Sequence, residues 1–417
     1  MVKLLPLVSL LLSAIPVLIL ARPYEKIHYH IATLNHHHKV NDDFGAIKSN
    51  SIATKLDEIN ADARISGADE EDEDELRLIQ LSEDEPAEWM TVGEIMDLYR
   101  KKTKFMDITD HQDLGDFYKA TTKTRQFPVQ PQFQNEVKPF IKELTTKHME
   151  ENLKKFTSFR TRYYRSRTGK ESSNWLYEQI LGIIKKAENE VNVSVRKFEH
   201  SWAQNSLIAR FEGADEQKEN EVVIIAAHQD SVNMWMPSFG RAPGADDDGS
   251  GTVTILEAFR VLVENGFKPE RPVEFHWYSA EEAGLLGSQA IAQEYAKEKK
   301  DVIAMLQNDM TGYVGKKPET FGIVTDYVNS DLTIFIKSLI EEYAAIPYTD
   351  TKCGYACSDH ASWGKAGYPS AFAIESEFSN SNPYIHSTND VLENLDFNHM
   401  LEFSKLSVSL AVELSHI

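Results

Sequence analysis

Cysteine is the rarest residue type in this sequence. Only Cys353 and Cys357 occur among the 417 residues, in the stretch CGYACSDH. In a secreted chain, a pair separated by three residues is more often a small disulfide loop than a reactive thiol, and the N-terminus of this chain reads as a secretory signal. We therefore predict a Cys353–Cys357 disulfide, which would stiffen a local turn but could not hold a domain together.

Basic side chains are also in deficit. The chain has 44 Lys and Arg residues against 65 Asp and Glu residues, for a net charge of -21. This balance argues against a nucleic acid partner, because phosphate backbones are bound through a basic face. The remaining composition, 41% hydrophobic and 26% charged, is typical of a soluble globular protein, and the length allows one large domain with accessory segments.

Long apolar runs that could cross a membrane are lacking after the first 21 residues. Those residues, MVKLLPLVSLLLSAIPVLILA, place one lysine before an apolar run that is interrupted by Pro6 and Pro16. This layout predicts a signal peptide over 1–21, cleaved after Ala21, with a retained membrane anchor as the alternative. We therefore expect a secreted, extracellular protein with no membrane attachment after cleavage. Asn192, in the sequon Asn-Val-Ser, is then a predicted glycosylation site.

Residues 22–87 differ in composition from the rest of the chain. They contain the histidine groups HYH and HHH and the acidic run DEEDEDE at Asp69 to Glu75. Acidic runs are usually flexible and solvated, and a histidine-rich tract within such a segment is a better default than a weak metal site. The position after the signal peptide predicts a propeptide over 22–87, followed by the folded domain over 88–417.

Periodic patterns begin near Trp89. Thr91 and Glu94 are spaced as a capping box, which predicts the start of a helix. Helical periodicity recurs over 134–151 and 173–188, and the alternating stretches VSVRKFEH and NSLIARFEG predict a strand pair. The near-continuous apolar run EVVIIAA predicts a buried strand, and PVEFHWYSA and VIAMLQND predict two further strands. These strands alternate with amphipathic stretches, before a closing helix. This alternation predicts an α/β fold, a single globular domain with a mostly parallel central sheet flanked by helices.

Polar residues stand just past the carboxyl ends of the predicted strands, where open α/β sheets place their sites. The candidates are His228, Asp230, the octet GADDDGSG at Gly244 to Gly251, Glu281, Glu282, Asp309 and His386. A single histidine is more often a surface or core residue than a ligand, and paired glutamates at a helix start can simply favour the helix dipole. Their recurrence at successive strand ends nevertheless predicts a site for zinc or a similar divalent ion.

The octet crowds three aspartates, Asp246 to Asp248, between glycines and has no basic residue. Two cations about 3.5–4 Å apart would offset this repulsion and would need a bridging carboxylate. We therefore predict that the three aspartates hold metal and that the glycines let the backbone bend toward two ions.

Six motifs together carry a family resemblance. They are AAHQDSV, APGADDDGSG, YSAEEAGLLGS, NDMTG, CGYACSDHASW and IHSTND, in this order between Val222 and Asp390. They resemble peptidase family M28, in particular its secreted bacterial and fungal leucine aminopeptidases. The resemblance implies two zinc ions per chain and hydrolysis of the first peptide bond of peptides that have a free N-terminus and an apolar, leucine-like first residue. We expect a monomer.

The resemblance also assigns the metal ligands. His228 and Asp309 would bind one zinc ion, Glu282 and His386 would bind the other, and Asp247 would bridge the two. The peptide bond between Asp247 and the next residue is expected to be cis, as in the family.

Three further residues receive roles from the resemblance. Glu281 would be the general base that takes a proton from water and passes it to the leaving amine. Asp230 would accept a hydrogen bond from His228 and so fix the tautomer of that imidazole. Tyr355 would donate a hydrogen bond to the oxyanion that forms at the substrate carbonyl.

An apolar first residue of the substrate requires an apolar pocket. The candidates that flank the ligands along the chain are Met310, Phe372, Ile374, Phe378 and Ile385, although several of them, Ile374 above all, can equally be core residues. The site motifs have no Arg or Lys to bind a substrate carboxylate, which argues against a carboxypeptidase. The alternatives that stay open are a carboxypeptidase, deacylase or glutaminyl cyclase on the same fold, and a binding ectodomain without metals; the full ligand set argues against the last.

Overall fold

The computed structural model describes residues 73–123, 125–187, 191–315 and 318–417. All of them belong to one structural unit, Asp57–Ile417. The predicted signal peptide and residues 22–72 of the predicted propeptide lie outside the described residues.

A small antiparallel sheet precedes the large one. It consists of β1 (Leu76–Gln80), β2 (Glu88–Thr91) and β3 (Met106–Asp107), with β1 in the middle. Helix α1 (Val92–Arg100) follows β2 and starts at a capping box, in which Thr91 Oγ1 accepts from the Glu94 N–H and the Glu94 carboxylate accepts from the Thr91 N–H. The predicted helix start is therefore confirmed. Strand β1 falls within the range predicted as propeptide, where no strand is predicted.

Further helices lead to the large sheet. They are α2 (Tyr118–Thr121), α3 (Gln134–Lys142), α4 (Thr146–Phe156) and α5 (Arg167–Lys186). The prediction of one helix over 134–151 is wrong, because α3 stops and the Thr145 side chain then caps α4 by accepting from the Lys147 N–H. The predicted helix over 173–188 exists but begins earlier, where Ser166 accepts from the Gly169 N–H.

The central sheet has eight strands among the described residues. They are β4 (Val193–Phe198), β5 (Ser206–Phe211), β6 (Glu221–His228), β7 (Val273–Tyr278), β8 (Asp301–Asn308), β9 (Phe321–Val324), β10 (Tyr348–Thr351) and β11 (Ser370–Ile374). Their order is β10-β9-β11-β8-β6-β7-β5-β4. Strand β6 pairs in parallel with β7 and β8, β8 with β11, and β9 with β10, whereas β4–β5, β5–β7 and β9–β11 are antiparallel. The mostly parallel sheet and the predicted strand pair β4–β5 are confirmed.

Helices cover both faces of this sheet. They are α6 (Gly249–Glu264), α7 (Leu286–Lys297), α8 (Ser330–Tyr343), α9 (His360–Lys365) and α10 (Phe397–Ser415). Val223 and Ile225 of β6 pack in a core cluster with α6, α8 and α10, while Ile224 and Ala226 pack in a second cluster with α7 and α9. Because successive side chains point to opposite faces and both faces are buried, β6 reads as one continuous apolar run.

The parallel strands β6, β7, β8 and β11 end at the same edge of the sheet. Their following loops therefore meet there, which is where open α/β sheets build their sites. None of the helices in the described ranges combines the length and the apolarity needed to cross a bilayer.

Candidate metal centre and active site

The five predicted metal ligands come together at this edge of the sheet. His228 is the last residue of β6, and Asp309 directly follows β8. Asp247 precedes α6, while Glu282 and His386 lie on the loops that follow β7 and β11. His228, Asp247 and Asp309 form one cluster of possible ligand atoms, and Asp247, Glu282 and His386 form a second. The two clusters share Asp247, whose bridging position is the one predicted.

The separations between ligand atoms suit a small divalent cation. His228 Nε2 lies 3.0 Å from Asp247 Oδ1 and 3.6 Å from Asp309 Oδ1. His386 Nε2 lies 2.9 Å from Asp247 Oδ2 and 3.0 Å from Glu282 Oε2. Tetrahedral zinc with bonds of about 2.0–2.1 Å requires neighbouring ligand atoms roughly 3.3 Å apart.

The donor set also fits zinc chemically. Asp309 Oδ1 and Glu282 Oε1 are buried oxygens that accept no hydrogen bond among the described residues. An unpaired buried carboxylate oxygen is costly, so each of these atoms needs a cationic or donor partner. Imidazole nitrogens and carboxylate oxygens without thiolates are ligands that zinc accepts.

The crowded carboxylates of the cluster shift the pKa values of its two histidines in the direction that favours positive charge. Burial alone would lower the pKa of His386, but the charges of Glu282 and Asp247 raise it to about 10. The pKa of His228 is also raised, against burial, by nearby carboxylates such as Glu281 and Asp309. The two imidazoles in turn lower the pKa of Asp247, despite its burial. Protons on the histidines therefore compensate for the carboxylates where metal would otherwise do so.

Asp246 and Asp248 belong to neither cluster of possible ligand atoms, in contrast to the prediction that all three aspartates of the octet hold metal. The Asp248 carboxylate accepts hydrogen bonds from the N–H groups of His228, Gly251 and Met310, at 2.8–3.1 Å. Asp246 accepts from the Gly312 N–H and from Asn382 Nδ2. The Asp248 carboxylate binds backbone N–H groups, and the Asp246 carboxylate binds one backbone N–H and the Asn382 amide, so only the middle aspartate faces the histidines. The bond between Asp247 and Asp248 is cis, as expected.

Comparison with known proteins gives the family. The profile of the family described as "Peptidase family M28" matches residues 206–411. "Leucine aminopeptidase 1" of Trichoderma harzianum is 53% identical over 357 residues, which cover 83% of this chain and 88% of that protein. The protein of the same name from Chaetomium globosum is 52% identical over 338 residues, covering 78% of this chain and 82% of that one. The chain belongs to peptidase family M28.

A solved structure supports the same conclusion about this M28 peptidase. The crystal structure of the Legionella pneumophila LapA aminopeptidase superposes with a TM-score of 0.72 at 30% identity, covering 82% of this chain and 94% of that one.

Glu281 and Asp230 lie beside the first ligand cluster of the M28 peptidase. Glu281 Oε2 is 3.9 Å from His228 Nε2, and burial raises the pKa of Glu281 well above its usual value. Asp230 accepts hydrogen bonds from the N–H groups of Glu281 and Glu282, both at 3.1 Å. Its Oδ1 lies 3.4 Å from His228 Nδ1. Asp230 thus fixes the loop that carries both glutamates in addition to facing the imidazole.

Further residues support the site and were not identified from the sequence. Asp390 accepts from the N–H groups of Asp246 and Asp247, and Ser358 Oγ donates to Asp309 Oδ2 at 2.6 Å. Buried Arg162 donates to the carbonyl oxygens of three residues, Gln229, Pro243 and Gly244. Asp390 and Ser358 stand within the quoted motifs, so their positions were a usable signal, whereas nothing in the sequence near Arg162 indicates its role.

Three non-glycine residues with positive φ angles lie at or next to the predicted metal ligands. Ala280, Met310 and His386 adopt positive φ angles of 61°, 60° and 56°. Ala280 precedes the two glutamates and Met310 follows Asp309, so each strained residue turns a ligand-bearing segment. Non-glycine residues in this region persist where the surrounding structure determines them, commonly at functional sites.

Tyr355 lies inside the loop closed by the Cys353–Cys357 disulfide, which is present as predicted. Its hydroxyl donates a 2.9 Å hydrogen bond to Oε1 of Gln80 on β1, and Lys365 Nζ contacts the same oxygen. The small N-terminal sheet therefore packs against the predicted oxyanion donor.

The predicted apolar pocket residues meet in one cluster. Met310, Phe372 and Ile374 are buried there, with Phe378 and Ile385 partly buried against them. The same cluster includes both cysteines. Because Ile374 and Phe372 are only 1% and 2% exposed, they are core residues of this cluster rather than surfaces that a substrate could touch.

Proposed function

We propose that this M28 peptidase is a secreted zinc aminopeptidase that removes apolar, leucine-like residues from the N-terminus of peptides. The observation that carries this proposal is the pair of ligand clusters that share the two oxygens of Asp247. The leucine aminopeptidase relatives, at about half identity over most of the chain, support the same activity.

Two zinc ions would be held by the clusters, one by His228 and Asp309 and one by Glu282 and His386, with Asp247 bridging. When bound, zinc supplies Lewis acidity, which makes water more acidic and polarises a substrate carbonyl. The chain itself orients the ligands, through Ser358 on Asp309 and through Asp390 on the backbone of Asp247.

Glu281 is the general base of this scheme. The Glu281 side chain lies beside the first cluster and is 11% exposed. It is therefore open enough to contact water, yet mostly removed from bulk solvent. The Glu281 carboxylate takes a proton from the attacking water and returns it to the leaving amine. Asp230 holds the Glu281 N–H and so keeps this carboxylate in place.

The charge of the site favours a substrate amine over a substrate carboxylate. The carboxylates of Asp247, Glu281, Glu282 and Asp309 surround the metal centre. Two zinc ions would balance their charge, and the site motifs offer no cationic side chain to bind a substrate carboxylate. Arg162 is fully buried and its guanidinium donates to backbone carbonyls, so it is not free to bind a C-terminal carboxylate. This arrangement favours an aminopeptidase over a carboxypeptidase on the same fold.

Two matched glutamine variants test the proposal. Glu281→Gln keeps size and hydrogen-bonding shape but accepts no proton, so we expect about 10²–10⁴-fold lower kcat on a leucine anilide with zinc content unchanged. Glu282→Gln removes a ligand, so zinc and activity are lost together. A Glu281→Gln enzyme that lost zinc, or that turned over at the wild-type rate, would show that Glu281 is not the base.

Secretion and processing belong to the same proposal. The N-terminal 21 residues direct export, residues 22–87 belong to a removable propeptide, and the mature enzyme is a monomer. Asn192 is exposed at the start of β4, where a glycan finds room. Expression in a secreting eukaryotic host, with mass spectrometry of the medium, tests this: protein found only inside the cell, or retaining Met1, would contradict it.

A further inference from the structure

A second cluster of ligand-type side chains lies outside the site described above. Cys353, Cys357 and His360 offer ligand atoms that all lie within 4.8 Å of one another, and all three residues are buried. The cysteines are joined as a disulfide, and His360 is the first residue of α9.

His360 has an unusual environment. It is fully buried, and neither ring nitrogen has a hydrogen-bond partner among the described residues. Its ring packs against Phe372, with centroids 5.0 Å apart. A buried imidazole without partners costs roughly 1–3 kcal/mol, so a polar atom held in this way points to a partner that another state of the protein supplies.

We infer that Cys353, Cys357 and His360 form a conditional zinc site, which opens when the disulfide is reduced. Two thiolates and one neutral imidazole are a ligand set that zinc accepts, with water or another donor in the fourth position. Zinc and two thiolates together carry no net charge, which suits a buried site. Burial lowers the pKa of His360 to about 3, so its imidazole needs no deprotonation before it binds metal.

Reduction of the Cys353–Cys357 disulfide supplies the two thiols that zinc would bind. A phosphine reductant gives two electrons to the disulfide and becomes a phosphine oxide with the oxygen of one water molecule, whose two protons go to the sulfurs. Zinc binding then releases these two protons as the thiols become thiolates. The bond between the sulfurs is replaced by two zinc–sulfur bonds of about 2.3 Å.

The consequence concerns Tyr355, which lies between the two cysteines. Either the disulfide or the metal closes the same five-residue loop, so Tyr355 stays anchored in both states. The zinc site thus substitutes for the disulfide under reducing conditions rather than serving catalysis directly.

The test measures zinc content of the full chain before and after reduction. Wild-type protein is loaded with zinc, divided, and treated with a phosphine or left oxidised, and each sample is dialysed against buffered zinc. We expect one additional zinc ion per chain in the reduced sample. Equal zinc content in the two samples overturns the inference.

Cobalt identifies the ligands. Reduced wild-type protein titrated with Co²⁺ should show thiolate-to-cobalt charge-transfer absorption in the near ultraviolet, and oxidised protein should not. Absence of this band in the reduced protein is also decisive against the site, whatever the behaviour of any variant.

The variant His360→Phe isolates the imidazole while keeping a ring against Phe372. Changes outside the ligand sphere already cost about 10–100-fold in metal affinity, so loss of a ligand should weaken the additional site by at least about 100-fold in competition with a chromophoric chelator. His200→Phe, beside β4 at the opposite edge of the sheet, is the control and should bind as wild type. Wild-type affinity in His360→Phe would refute the role of His360. If that variant fails to fold, the cobalt spectrum of the wild type decides.

Discussion

Asp246, Asp247 and Asp248 are adjacent and chemically identical, yet their carboxylates have different partners. Asp248 is fully buried and receives three backbone N–H groups, whereas Asp247 places one oxygen near each histidine. The sequence predicts that this octet belongs to a metal site, because acidic crowding needs compensation. It does not distinguish metal ligands from backbone supports, because that depends on how the chain turns between glycines.

The contribution of the Ser358–Asp309 hydrogen bond to zinc affinity can be measured with a single substitution. Ser358→Ala removes the 2.6 Å hydrogen bond that orients Asp309 Oδ2. We expect about 10–100-fold weaker zinc binding, measured by competition with a chelator, because outer partners of ligands typically contribute this much. Ser362→Ala, which removes a buried serine hydroxyl bonded to Ser288, is the matched control. Equal affinities in the two variants would mean that Ser358 does not orient the ligand.

Burial of the His360 imidazole should make the free energy of unfolding of the oxidised protein depend on pH. Burial lowers its pKa from 6.5 to about 3, so the unfolded chain takes up a proton below pH 6.5 that the folded chain refuses. This contribution to stability is complete above about pH 6.5 and falls by roughly 1.4 kcal/mol per pH unit as the pH drops toward 3. Urea unfolding between pH 7 and pH 4.5 should therefore show a shallower loss in His360→Phe than in wild type. An equal loss of unfolding free energy with falling pH in both proteins would show that His360 is not the group responsible.

At the scale of elements, the sequence predicted the parts whose burial is uniform. Strands β6, β7 and β8 are buried on both faces, and β6 and β8 read as near-continuous apolar runs, while α1 carries its own capping box. Strand β1 was missed because its five residues directly follow an acidic run, which is typical of flexible, solvated segments. The split between α3 and α4 was missed because Thr145 caps a helix in the middle of an uninterrupted amphipathic pattern.

The position of β1 leads to a prediction about processing. β1 is the central strand of the small sheet, and its Ile79 packs with Ile95 and Phe105 in a cluster of their own. Cleavage at residue 87 would remove β1 and leave β2 and β3 without a partner. We therefore expect proteolysis to continue past Asp107, so that mass spectrometry finds the mature N-terminus downstream of β3. A stable mature form that begins at residue 88 would contradict this expectation.

The same contacts predict how processing changes activity. Gln80 accepts from the Tyr355 hydroxyl, and Tyr99 of α1 donates to the carbonyl oxygen of Glu282. While the Tyr355 hydroxyl donates to Gln80, it is not free to act as the proposed oxyanion donor to a substrate. The processed enzyme should therefore exceed the unprocessed chain in kcat on a leucine anilide, and equal kcat values would exclude an inhibitory role for this segment.

At the scale of the whole molecule, the buried carboxylates of the metal centre tie stability to metal content. Asp247, Glu282 and Asp309 are each less than 10% exposed, and without cations their charges must be met by protons on His228 and His386. Zinc binds the folded chain and not the scattered ligands of the unfolded chain, so it stabilises by mass action. Chelation should lower the unfolding temperature and added zinc should restore it in calorimetry. An unchanged transition in chelator would argue against a metal centre.

The distribution of the ligands along the chain has a consequence for biogenesis. Five strands of the central sheet lie between His228 and His386 along the chain, and each of the five ligands ends a strand, follows one or precedes α6. No contiguous fragment brings them together before β11 and the loop after it have taken their places. If the chain crosses a membrane unfolded, as the proposed export requires, it cannot carry metal with it, and the zinc of the proposed centre must come from the compartment in which the last strand is added to the sheet.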